Sequence, residues 1–138
     1  SEFIEKLDKK YDSRIAQGGT NVSGGQRQRL SIARAIAKDP DIYIFDDSFS
    51  ALDMKTDAKL RHDLKTITGD AVTLIVAQRI STIKDADQIV VLNQGQVVGK
   101  GTHSELLQSC KVYREIAKSQ LSEAEFAAEL KTSGGKHA

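Results

Sequence analysis

The segment Val22-Ser23-Gly24-Gly25-Gln26-Arg27-Gln28-Arg29 has the makings of an anion site. Ser23 can cap a helix that begins just after it. Two glycines in the first turn are costly for helix formation. They leave backbone N–H groups uncovered at the positive end of the helix dipole, an arrangement suited to a triphosphate. A serine cap with two glycines would be ordinary alone. Followed by Gln-Arg-Gln-Arg and then Ile32-Ala33-Arg34-Ala35, it reads as a motif in context.

A second feature is the apolar run Ile42-Tyr43-Ile44-Phe45 ending in Asp46-Asp47. An acidic residue at the carboxyl end of a parallel strand is where nucleotide-dependent enzymes hold Mg2+. One carboxylate can coordinate through water while its neighbour orients an attacking water. A third feature is Ser50-Ala51-Leu52-Asp53. Asp53 can cap the next helix, or the loop can cross a subunit interface beside a nucleotide.

These residues need elements to hold them. Phe3, Ile4 and Leu7 predict a short amphipathic helix over about 2–10, and residues 12–22 read as a loop. A long helix is expected over about 24–38, with Leu30, Ala33, Ile36 and Ala37 as its apolar positions, ending before Pro40. The run 42–45 predicts a buried parallel strand, and Val72 to Val76 a second strand. Between them a helix over about 54–68 carries Leu60, Leu64 and Ile67 on one face. Ser81 to Lys84 reads as a helical turn. Asn93-Gln94-Gly95 joins a hairpin formed by Ile89–Leu92 and Gln96–Gly99. Helices over about 103–108 and 112–131 complete the domain, and 132–138 reads as a disordered tail or added residues. Alternating strands and helices give an α/β architecture with a mainly parallel sheet and flanking helices.

Composition narrows the classes. The chain has 138 residues, of which 5% are aromatic, so an aliphatic core is expected. Lys plus Arg number 20 against 19 acidic residues, which gives no global pull toward nucleic acid or anionic lipid. No apolar run reaches the 18 or so residues of a membrane-spanning helix. Charges near the start argue against a signal peptide. Cys110 is the single cysteine and is expected to pack. His62 is expected to face solvent and His103 to start a helix. The three histidines lack metal-ligand spacing.

Val22 to Arg29 resembles the signature motif of ATP-binding cassette transporters. Ile42 to Asp46 resembles their Walker B strand and Ser50 to Asp53 their D-loop. Gly95, Gly99 and Gly101-Thr102-His103-Ser104-Glu105-Leu106 resemble the closing stretch of exporter-type nucleotide-binding domains. The resemblance runs from about residue 2 to 120. It implies a partial P-loop NTPase-like domain over 1–131, lacking the N-terminal strands and the Walker A helix. It also implies ATP and Mg2+ as cofactors. In such families two nucleotide-binding domains sandwich two ATP molecules head to tail. Ser23, Gly24, Gly25 and Gln26 would contact ATP held by the partner's Walker A, and Asp46 would help hold Mg2+ in this chain's own site.

Two positions depart from the family pattern. Asp47 stands where the family has a glutamate as catalytic base, one methylene longer. Gln78, in Ile75-Val76-Ala77-Gln78-Arg79-Ile80, stands where it has the switch histidine. Glutamine can hydrogen-bond a phosphate but cannot carry a proton charge near neutral pH. Both changes weaken the same site while the signature is intact, which resembles the degenerate half of a heterodimeric exporter. No G-x-x-x-x-G-K-[ST] occurs in the sequence, and Gly134-Gly135-Lys136-His137 is no substitute. The chain is therefore expected to be a truncated domain, without appreciable ATP hydrolysis alone. Its parent would be an ATP-hydrolysing exporter at the cytoplasmic face of the cell membrane. The membrane would be reached only through transmembrane domains absent here, and the fragment itself would be soluble.

Two other classes stand beside this one. A DNA-repair or chromosome-maintenance ATPase shares a related signature. Such proteins split their lobes around coiled coils, and no heptad array appears here. A stand-alone interaction module would bind a complete cassette and supply only the signature face.

Overall fold

A computed structural model describes residues 2–134. The chain forms two compact units, one ending at Val76 and one beginning at Ala77.

The first unit opens with α1 (Glu2–Glu5) and single 3-10 turns at Lys10–Asp12 and Gln17–Gly19. The amphipathic helix expected to residue 10 is therefore only one turn long, and residues 12–22 are looped apart from the second 3-10 turn. Asn21 organises that loop: its Oδ1 accepts from Ala16 N at 2.9 Å and its Nδ2 donates to Arg14 O at 2.9 Å. Helix α2 (Gly24–Ile36) follows the Ser23 cap and stops where Asp39 enters left-handed backbone before Pro40. Its buried face centres on Ile32, with Ala35 and Ile36 beside it. Of the apolar positions expected from sequence, Ile36 packs against the core and Leu30 is half-buried, whereas Ala33 and Ala37 are exposed. Small alanines on every face blurred the periodic signal.

Strands β1 (Ile42–Asp46) and β2 (Val72–Val76) pair in parallel, Ile42 with Val72 through Asp46 with Val76. Helix α3 (Met54–Thr68) connects them, matching the expected crossover. The expectation of a fully buried strand is corrected. Tyr43 and Phe45 point into the core, whereas Ile42 and Ile44 are 59% and 65% exposed. The core of this unit is mixed, with three aromatics packed among aliphatic side chains. Tyr43 stacks on Phe45 at 5.9 Å and Phe45 meets Phe49 edge-on at 5.6 Å. Ile32, Leu52 and Leu64 pack around them. Few aromatics in total did not prevent three of them from gathering at one place, since each buries a large apolar area.

The second unit begins at the short helix α4 (Ile80–Ile83). It continues with the antiparallel hairpin β3 (Ile89–Asn93) and β4 (Gln96–Gly101). Gln94 and Gly95 both have positive φ, as a tight two-residue hairpin turn requires. Helix α5 (His103–Ser109) starts from a capping box in which Thr102 and Glu105 exchange bonds. Helices α6 (Lys111–Gln120) and α7 (Glu123–Gly134) replace the single helix expected over 112–131. Ser122 causes the break: its N–H and Oγ both bond Glu125 Oε2, and Glu125 N returns to Ser122 Oγ. That reciprocal cap starts a new helix. Helix α7 also continues through 132–134, so the tail expected from residue 132 is helical there. The rest of that segment, 135–138, lies outside the described residues. Ile80, Ile89, Val91, Leu106, Leu107, Cys110, Tyr113 and Ala117 form the core of this unit. Cys110 packs as expected, and His103 does begin a helix.

Candidate functional site

The Ser23 cap is a full capping box. Gln26 N donates to Ser23 Oγ at 3.2 Å, and Ser23 N donates to Gln26 Oε1 at 2.8 Å. Arg27 N bonds the Ser23 carbonyl at 2.9 Å. The N–H groups of Gly24 and Gly25 have no carbonyl one turn back to meet, because the helix starts with them. They lie where the helix dipole is positive. The expected capped helix start, with two glycines in its first turn, is thus present. Gln26 gives its amide oxygen to the cap, and its Nε2 takes no part in it.

The glycines have a second reason. A Cβ on Gly25 would stand 3.0 Å from the Ala51 carbonyl oxygen and 3.5 Å from Leu52 Cδ2. Backbone of the Ser50–Asp53 segment occupies the space that a side chain would need. The first turn of α2 and this loop are therefore in direct contact. Leu52 is 4% exposed and belongs to the core, while Ser50, Ala51 and Asp53 are at the surface.

Two side chains beyond the predicted set fasten this arrangement. Arg27 Nη1 donates to Gly19 O at 2.9 Å and to Val22 O at 3.2 Å, holding the loop that leads into the cap. Gly19 has a positive φ of 65°, and a Cβ there would meet Arg27 Cδ at 2.5 Å. Gln28 Nε2 donates to Asp47 O and to Ser50 Oγ, each at 3.0 Å, and Gln28 Oε1 accepts from Ala51 N at 2.9 Å. Both residues lay within the motif, but only their contacts reveal this work.

Asp46 ends β1 and is exposed. Asp47 follows in left-handed backbone, φ 48°, with its N–H on Val76 O at 3.0 Å. Its carbonyl accepts from Ser50 Oγ at 3.0 Å. Among the described residues no three His, Cys, Asp or Glu side chains gather as a metal site. A single exposed carboxylate fits Mg2+ whose remaining ligands are phosphate oxygens and water. Asp53 caps α3: its Oδ1 accepts from Thr56 N at 2.9 Å, and the bonds from Thr56 hold its carboxyl below the usual aspartate range. The simpler role expected for Asp53 is therefore met.

Gln78 lies in the second unit and is exposed. Its backbone is held from α6. Gln120 Nε2 donates to Gln78 O at 2.7 Å and Gln120 Oε1 accepts from Ile80 N at 2.8 Å. Forty residues of separation hid this bracket from any reading of local pattern.

Comparison with known proteins agrees with these features. Residues 1–50 match the family described as ABC transporter. An ABC transporter ATP-binding protein of Mycobacterium tuberculosis is 56% identical over 108 residues, covering 78% of this chain and 19% of the relative. An ATP-dependent lipid A-core flippase of Hahella chejuensis is 45% identical, over 89% of this chain and 21% of the relative. A solved structure of a bacterial Atm1-family ABC exporter with ATP bound superposes with a TM-score of 0.83 at 37% identity. That match covers 88% of this chain and 22% of the exporter. The chain thus spans about a fifth of the length of the curated relatives it matches.

Proposed function

This chain belongs to the ABC transporter family, and from that premise we propose that it is part of an exporter's ATP-binding subunit, working with a second nucleotide-binding domain. The first turn of α2 is offered to ATP held by that partner. Gly24 and Gly25 N–H and the Ser23 hydroxyl donate to phosphate oxygens there. The build of that turn carries the reading: a capped helix start whose glycines have no Cβ and whose N–H groups have no helical acceptor. Names of relatives support the export direction, one being a lipid A-core flippase and another a β-(1→2)glucan export protein of Rhodopseudomonas palustris.

Asp46 holds Mg2+ at this chain's own site, through water. Mg2+ in such a site offsets charge on the transferring phosphate. Asp47 stands at the position of the catalytic base, with one methylene less reach than glutamate. Gln78 hydrogen-bonds phosphate without supplying charge. The own site therefore binds ATP more than it hydrolyses it, and turnover comes from the site completed by Ser23. This makes the assembly a heterodimer. Transmembrane domains supply the transport path, and the ATP-binding parts lie at the cytoplasmic face.

Ser23→Arg in the intact transporter tests the assignment. The longer cationic side chain crowds the phosphate, and hydrolysis at the partner's site is lost. Unchanged steady-state turnover would contradict the assignment.

A further inference from the structure

We infer that Gln28 is a positioning residue that couples the ATP-facing turn of α2 to the loop of this chain's own site. This rests on the reading of the two sites given above. Gln28 lies one helical turn beyond Gly24 and Gly25, so its side chain leaves the same end of α2. Its amide is fully engaged: Asp47 O and Ser50 Oγ accept from Nε2 at 3.0 Å, and Ala51 N donates to Oε1 at 2.9 Å. All three partners belong to the loop from Asp47 to Asp53. One amide thus grips the loop at the catalytic-base position and at the segment that lies against Gly25.

The contacts around it make the grip consequential. Asp47 sits in left-handed backbone that a non-glycine residue adopts rarely. Ser50 Oγ also bonds Asp47 O, so the loop is folded on itself and then bonded to Gln28. Ala51 O lies only 3.0 Å from where a Gly25 Cβ would stand. A shift of the loop therefore cannot occur without moving either the Gln28 amide or the first turn of α2. The bonds are near the surface, where water can replace them when the side chain is removed. Gln28 consequently adds little to folding and much to register.

Steady-state ATP turnover of the intact transporter tests this, comparing wild type with Gln28→Leu, Gln28→Glu and Ser23→Arg, alongside thermal midpoints. Leucine removes all three bonds at similar size. Expected is a kcat fall of about tenfold or more, because displacement by ~1 Å can cost up to 10²-fold. KM for ATP stays within about twofold of wild type, since Gln28 is placed one turn from the phosphate-facing groups. Glutamate keeps the acceptor for Ala51 N, and only its protonated form can donate to Asp47 O. As a carboxylate it cannot donate to Asp47 O, so Gln28→Glu also loses kcat while KM for ATP stays within about twofold of wild type. Unchanged kcat in Gln28→Leu, or a loss matched by a large fall in thermal midpoint, overturns the inference. So does wild-type kcat in Gln28→Glu. Ser23→Arg separates the two readings. If it abolishes turnover while Gln28→Leu is normal, only the coupling falls; if Ser23→Arg is normal, the assignment of the sites falls.

Discussion

At the scale of single residues, the proposed reading sets an intact donor turn against two altered positions, Asp47 and Gln78. The capping box on Ser23 and the bare Cβ positions of Gly24 and Gly25 are what an approaching triphosphate needs. On that reading Asp47 and Gln78 lack the reach and the charge that fast hydrolysis uses. This contrast predicts a rescue. With the partner's site blocked by Ser23→Arg, adding Asp47→Glu and Gln78→His restores a base of full reach and a titratable imidazole. Phosphate release should then rise on the order of 10²-fold above Ser23→Arg alone, the usual scale of general-base catalysis. Release that stays at the blocked level would mean that these two residues are not what limits the site. The helix start at Ser23 and the strand ending at Asp46 were legible from sequence, because a cap residue before a helical pattern and an apolar run before paired aspartates mark boundaries. Gln28 and Gln120 were not. Their work is long-range hydrogen bonding, and a glutamine carries no local signature of it.

At the scale of elements, the crossover helix α3, both parallel strands and the hairpin were readable, because apolar runs bounded by turn residues leave few choices. The errors have physical causes. The Ser122–Glu125 cap divides a segment whose composition is helical throughout. The low aromatic total gave no sign that three aromatics gather within the core of the first unit. In the second unit, α5 and α6 are joined by a buried polar contact: His103 Nδ1 lies 2.8 Å from Tyr113 Oη. Glu129 of α7 approaches His103 Nε2 at 3.5 Å, and its Oε1 is 3.5 Å from Lys84. Burial first, and the Glu129 carboxylate second, push the Tyr113 hydroxyl up to about 12. A raised folded-state value means that the stabilisation is complete below the unfolded tyrosine value, about 10, and declines as pH climbs toward 12. A tyrosinate absorbance titration should show one of the three tyrosines ionising late, together with loss of helical signal. Tyr113→Phe should abolish that late step and cost about 1–3 kcal/mol, the penalty for leaving a buried polar partner unmet. Three tyrosines titrating together near pH 10 would contradict this.

At the scale of the whole molecule, two features meet. Parallel sheets are normally covered on both faces. Here the outer face of β1 and β2 presents Ile42, Ile44, Val72, Leu74 and Val76, each at least 50% exposed. The sequence also carries no phosphate-binding loop of the G-x-x-x-x-G-K-[ST] kind. Under the proposed reading both needs are met within a larger assembly, in which this chain contributes α2 to ATP gripped elsewhere. If the first turn of α2 faces nucleotide on the partner, the two come close together when ATP is bound. Ser23→Cys in the intact transporter is paired with a cysteine in the partner's phosphate-binding loop, and disulfide formation is followed with ATP or with ADP under conditions that prevent hydrolysis. Cross-linking that is strong with ATP and weak with ADP is the predicted result. Cross-linking that is absent with both nucleotides, while each variant still binds ATP, would contradict the account.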